Sequence, residues 1–241
     1  MSPTETGLLI LAGVLALAVA AYVAQQIENQ RQARRLQLMA LRENIRRASY
    51  LLESLPPQFQ TSEIRQVIGA TINSFWDRLL KLENKAENRA QQEAFKQQLA
   101  QPLPATPFPA GSLTLMPDRD SARRARAQLR ELGQFIKQQH DRGELSAQAA
   151  SLTIRQVKSG YHRVTVDLSI LDAIEIETGR GPQVAVHQYR NCLGKLRSIK
   201  GGHTEQQIAN LQARLATVEA QIERAERDDP AAGDQDDSPA P

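Results

Sequence analysis

The chain has 241 residues, of which 41% are hydrophobic, 24% are charged and 4% are aromatic, enough for one or two modest domains. Thirty Lys and Arg residues against 27 Asp and Glu give a formal charge of +3, too small by itself to indicate a nucleic-acid partner. The single cysteine, Cys192, excludes an intramolecular disulfide framework, and the mean hydropathy of −0.46 excludes a polytopic membrane protein.

An uncharged apolar run extends from Gly7 to Ala24 near the N-terminus. As a helix it would reach roughly 27 Å, close to the thickness of the hydrocarbon core of a bilayer. A cleaved signal peptide is the alternative, but the leader before the run lacks a basic residue. Because positive charges beside a span stay in the cytoplasm, the sequence predicts a transmembrane anchor within residues 1–24, N-terminus outside, in the inner (plasma) membrane. The arginines that fix this orientation are Arg31, Arg34, Arg35, Arg42, Arg46 and Arg47.

Residues 25–101 are predicted to form a juxtamembrane helical hairpin, or coiled coil. Apolar residues recur at intervals of three and four from Leu38 to Leu55, and the Pro56-Pro57 pair then ends the helix. A second apolar stripe follows a candidate cap at Thr61 or Ser62 and fades into glutamine-rich sequence. Two helices joined by a short turn favour antiparallel packing.

Residues 102–120 are predicted to be a linker. Five of them are proline, and charge is absent until Asp118. Proline at this density favours extended, semi-rigid backbone and prevents a helix. The segment is therefore interpreted as a spacer between two helical units.

Residues 121–227 are predicted to form a distal antiparallel bundle of four helices. The breaks are Gly143 followed by a Ser146 cap, then Gly181-Pro182, then a Thr204–Gln207 capping box. Alternating apolar residues at 163–170 also allow a strand, but the helical spacing continues on both sides of them. The acidic, apolar-poor residues 228–241 are predicted to be disordered. The fold class is therefore all-α.

The residues that could carry catalysis are few. Cys192 would need His187 or His203 as a base, but no glycine-rich or elbow sequence surrounds it, so a buried structural thiol is favoured. Asp172 and Glu175 share a helix face and are interpreted as solvated. The four histidines do not pair at metal-ligand spacing. The sequence therefore predicts no catalytic residue, no metal site and no cofactor.

Basic residues crowd the helix from Arg119 to Arg142. One interpretation is a surface that binds nucleic acid or anionic lipid; the other is a solvated helix face, or one that pairs with the acidic tail. The candidate residues for an anionic partner are Arg123, Arg124, Arg126, Arg130 and Lys137.

The last helix carries a narrow apolar stripe suited to a partner helix, in this chain or in another copy. Its candidate interface residues are Ile208, Leu211, Leu215, Val218 and Ile222. Without a catalytic constellation, the sequence favours a membrane-anchored, non-enzymatic cytoplasmic scaffold or adaptor that acts through helix–helix contacts. A tether that binds nucleic acid or anionic lipid is the first alternative, and an enzyme or enzyme regulator is the second.

Overall fold

A computed structural model describes residues 3–103, 106–200 and 204–228 of the chain. Every regular element in these ranges is helical, which confirms the all-α prediction. The α-helices are α1 (Pro3–Ser54), α2 (Ser62–Leu82), α3 (Ala86–Ala100), α4 (Arg119–Asp141), α5 (Ala147–Arg180), α6 (Pro182–Ser198) and α7 (Glu205–Asp228), and a short 3₁₀ helix (Pro57–Phe59) precedes α2.

The apolar run Gly7–Ala24 lies within α1, although most of its side chains are outside the described part of the structure. Among the described residues, no helix combines the length and the apolar character that a membrane crossing requires. The large apolar side chains that are described in this stretch and just after it are exposed: Leu15, Leu17, Val19, Tyr22, Val23 and Ile27.

The described chain forms two compact units. The first unit combines the chain up to Tyr50 with Gly69–Gln101, and the second combines Leu51–Ile68 with the chain from Pro102 onward. The ends of α1 and α2 that flank the proline turn therefore belong to the second unit.

The first unit contains a helical break that the sequence analysis did not predict. Residues 83–85 are not helical, and α3 runs back along α2. Gln92 donates a hydrogen bond to Asp77 (2.8 Å), and Leu99 lies so near Gly69 that a Cβ atom there would clash with a Leu99 methyl. Asn88 secures the turn by donating to the Glu83 carbonyl (3.1 Å). The glutamine-rich stretch thus folds onto α2 rather than extending it.

In the second unit α4 packs on α5, α5 on α6, and α6 on α7. The helix breaks are where the sequence predicts them: Gly143 has φ 74°, and Gly181 has φ 90° directly before Pro182 at the first turn of α6. Ser146 caps α5 by accepting from the Ala149 amide (3.2 Å). The strand alternative at 163–170 is wrong, because these residues lie inside α5.

The proline-rich segment ends in a strap, residues 112–116, that is packed into the second unit. Leu115 and Met116 are 5% and 4% exposed, so this part of the predicted spacer belongs to the core. Asp118 then caps α4 by accepting from the Ser121 amide (2.7 Å). Proline content predicts the absence of a helix here, but it does not reveal where the extended backbone docks.

Several predictions concern residues outside the described ranges. They are the pairing of the acidic tail after Asp228 with α4, the disorder of that tail, and any role of His203.

Candidate anion-binding surfaces

Four of the five basic candidates on α4 lie on one face. Arg123, Arg126, Arg130 and Lys137 are separated by three, four and seven residues, so they line up along the helix, whereas Arg124 points away from that line. All five are exposed except Arg126, which is half-buried. The face fits the predicted charge stripe, and its function stays a prediction.

Several of these arginines already have local partners. Arg123 pairs with Asp120 (3.6 Å), and Arg124 donates to Ser121 Oγ (3.1 Å). Arg130 donates to the Tyr161 hydroxyl (3.4 Å), and this hydrogen bond lowers the pKa of Tyr161. These contacts are exposed, so each adds little to stability and an anionic ligand would displace them readily.

The two carboxylates considered as an acid–base pair share one arginine. Asp172 and Glu175 are exposed, and Arg119 forms ion pairs with both. The guanidinium balances one of their two negative charges and links α4 to α5. Their spacing of three residues therefore serves an interhelical ion pair.

A groove between α5 and α6, with a volume of about 560 Å³, forms a second basic surface. The sequence analysis did not group its basic residues together. Its cationic lining comes from Arg155 and Lys158 on α5, from Lys195 in the last turn of α6 and from Lys200 just after α6, with the imidazole of His162 beside them. The spacing Arg155, Lys158, His162 is a helical three–four pattern that could have been noticed. The contribution of α6 could not, because it depends on helix packing.

A buried polar cluster holds the strap against the helices. Asp167 is fully buried, and its Oδ2 accepts from the amides of Leu115 (3.0 Å) and Met116 (3.1 Å). Its Oδ1 accepts from Gln207 (2.6 Å), which also accepts from Arg163 (3.0 Å). Burial raises the pKa of Asp167 to about 6, and the hydrogen bonds oppose that rise. The cluster joins the strap to α5 and α7 through the three hydrogen bonds that Asp167 accepts.

Gln207 has a different role from the one predicted for it. It was assigned to a capping box at the start of α7, but its amide is fully buried and joins α5, α7 and the strap, with a further hydrogen bond to the Leu113 carbonyl (3.1 Å). A second polar link joins α5, α6 and α7, where Glu177 accepts from the buried Tyr189 hydroxyl (2.7 Å) and pairs with Arg214.

Cys192 is buried, and desolvation raises the pKa of its thiol to about 11. The thiol is therefore protonated at neutral pH and is a poor nucleophile. His187 is exposed on the same helix, five residues away and on another face. Among the described residues, no three metal-ligating side chains cluster.

The predicted interface stripe of α7 packs inside the chain. Leu211 and Val218 are fully buried, and Ile208, Leu215 and Ile222 pack half-buried against the same core, which α5 and α6 complete. Within the chain, α7 packs on α6. Whether the half-buried edge also meets another chain stays a prediction.

No family model matches this sequence, no curated protein matches it, and no solved structure matches its fold.

Proposed function

We propose that the chain is a single-pass protein of the inner (plasma) membrane whose helical body lies in the cytoplasm and acts as a non-enzymatic scaffold or adaptor. The observation that carries the proposal is the set of exposed apolar side chains on α1 between Leu15 and Ile27. Several large apolar side chains exposed within a short stretch of one helix are typical of a surface that contacts lipid or another protein.

Two features favour lipid as the cover. The apolar run contains no charged residue from Gly7 to Ala24, and arginines begin only seven residues later at Arg31. The apolar run and the residues after it up to Ser54 form one continuous helix, α1, so an anchor would be joined to the rest of the chain without a helix break. A helix with this charge pattern fits an N-terminus outside and a body inside.

The adaptor role is supported by the chemistry of the second unit. The carboxylates of Asp172 and Glu175 share the guanidinium of Arg119, and burial raises the pKa of the Cys192 thiol to about 11. Among its described residues, the solvent-exposed surface of the second unit consists of charged helix faces rather than of a reactive group. Such a surface suits recognition of a partner held at the membrane.

Membrane anchoring is tested by the double substitution Leu15→Lys/Val19→Lys in the full chain. Each lysine at the centre of a span costs about 3 kcal/mol, so we expect the variant to leave carbonate-washed membranes while the wild type stays. Leu152→Lys/Val184→Lys, at exposed apolar positions of the second unit, is the matched control and should stay with the membranes. Extraction of the wild type by carbonate would contradict the anchor.

The adaptor role is tested by proximity labelling from a C-terminal fusion in intact cells. We expect labelled cytoplasmic proteins to form a small reproducible set, and the set to change when the Leu15→Lys/Val19→Lys variant releases the body. Labelling of proteins outside the cytoplasm would overturn the orientation. The same labelled set from anchored and released chains would show that anchoring does not select the partner.

A second candidate is a membrane tether that binds nucleic acid or anionic lipid through the α4 face, favoured by the alignment of Arg123, Arg126, Arg130 and Lys137. Counterion release would make such binding steeply dependent on salt. Arg123→Gln/Arg130→Gln should reduce the slope of the logarithm of the binding constant against the logarithm of the salt concentration by about two. The control Arg89→Gln/Arg224→Gln changes two exposed arginines elsewhere and should leave that slope unchanged. Absence of binding at low salt would remove this candidate.

A further inference from the structure

The groove between α5 and α6 concentrates positive charge without a carboxylate in its lining. Arg155, Lys158, Lys195 and Lys200 line it together with His162, and the remaining lining residues are neutral. All four cationic residues are exposed, so their charged ends reach solvent at the mouth of the groove.

These four charges differ from other basic residues of the same unit. Arg119, Arg190 and Arg214 each form an ion pair with a carboxylate of a neighbouring helix. Within the described ranges, none of the four groove cations does so. The C-terminal end of α6 lies at the groove, and its helix dipole contributes only about half a negative charge, much less than the four positive charges of the lining. The groove therefore keeps a large positive potential that an anion would lower.

The hydroxyl groups in the groove do not supply hydrogen-bond donors to a ligand. Ser159 donates to the Lys200 carbonyl (3.4 Å), Thr165 to the Tyr161 carbonyl (2.8 Å) and Ser198 to the Lys195 carbonyl (2.7 Å). Because each hydroxyl has one hydrogen, recognition depends on the cations and the imidazole. Val166 and Ile199 give the lining an apolar component that a purely inorganic ion would leave uncovered.

We propose that this groove binds a ligand carrying a diphosphate or triphosphate group. Several cations on two helices match several linked phosphates better than one carboxylate, and about 560 Å³ is the size of a site for a compact ligand. An extended nucleic-acid strand fits less well, because no Phe, Tyr or Trp among the described lining residues offers a stacking surface. The proposal does not depend on the anchor or on the α4 face.

The test is calorimetric titration of the full chain in zwitterionic detergent micelles, without divalent cations. The probes are inorganic phosphate, inorganic pyrophosphate, ATP and a 20-nucleotide oligo-dT. The groove variant is Lys158→Gln/Lys195→Gln, and the matched control is Lys81→Gln/Lys96→Gln in the first unit. Lys158→Arg/Lys195→Arg keeps both charges and separates loss of charge from loss of fold.

We expect pyrophosphate or ATP to bind more tightly than inorganic phosphate, with a Kd of about 1 mM or lower. The groove variant should weaken that binding about tenfold or more, and the control and arginine variants should bind as the wild type does. A preference for ATP over pyrophosphate would identify a nucleotide, and equal binding a free diphosphate group. Absence of binding, a groove variant that binds as the wild type, or tighter groove-dependent binding of oligo-dT would overturn the proposal.

Discussion

Asp167 on α5 and Gln139 on α4 are both buried polar residues of the second unit, but only Asp167 has hydrogen-bond partners for its side chain among the described residues. Asp167 accepts hydrogen bonds from two strap amides and from Gln207. Neither side-chain polar atom of Gln139, which is 1% exposed, has a hydrogen-bond partner among the described residues. A buried polar group stabilises a fold only when its hydrogen bonds are made, so burial alone does not give the sign of its contribution.

Removal of the Asp167 side chain should have the largest effect on the stability of the second unit. Asp167→Ala leaves the buried amides of Leu115 and Met116 without an acceptor, and at about pH 4, where the stabilisation from Asp167 is complete, we expect the second unit to lose about 3 kcal/mol or more of stability. Hydrogen exchange of α5 and α7 peptides is the suitable measurement, because Trp76, the one tryptophan of the chain, belongs to the first unit.

Asp172→Ala is the control for that experiment. It removes an exposed carboxylate of the same helix that pairs with Arg119, and it should cost less than about 1 kcal/mol. Equal losses in the two variants would show that the strap contributes nothing beyond a surface ion pair.

Titration of Asp167 makes the stability of the second unit depend on pH. Burial raises the pKa of Asp167 from 3.8 to about 6, so the folded state binds this proton more tightly than the unfolded state does. The stabilisation from Asp167 is therefore complete below about pH 4 and is lost as the pH rises through 6, by about 3 kcal/mol in total. A carboxyl-carbon NMR titration of the full chain should show a midpoint near 6 for this group.

Asp167→Asn sharpens the same prediction, because an amide does not titrate in this range. We expect the stability difference between wild type and variant to shrink as the pH rises from 4 to 7. A carboxyl midpoint near 4 would mean that the hydrogen bonds donated to the carboxylate fully offset the desolvation of its charge.

The smallest expected effect has the opposite sign. Gln139→Leu keeps a similar volume and removes two unpaired polar atoms, so we expect a gain of about 1 kcal/mol in the second unit, measured by exchange of α4 peptides. Gln92→Leu removes an amide that is bonded to Asp77 and should reduce the protection of α3. Destabilisation by Gln139→Leu would show that this amide has a hydrogen-bond partner in solution.

Much of the helical layout follows from local sequence. Ser146 and Gly181-Pro182 mark helix ends correctly, because capping and the conformational limits of glycine and proline act within a few residues. The break before α3 was missed, since its apolar stripe is weak and the turn is held by Asn88, a residue with no strong local signal. The α4 charge stripe was visible because a helix repeats every 3.6 residues.

The sequence by itself determined that the chain is helical, where most of its helices begin and end, and that a charge stripe lies on α4. Only the tertiary structure decided which polar groups meet. Asp167 and Leu115 are 52 residues apart, Asp167 and Gln207 are 40 apart, and the groove draws its cations from both α5 and α6. The physical reason is that helix caps and turns depend on residues close in sequence. Hydrogen bonds between helices and the electrostatic potential of a groove depend on how the whole unit packs.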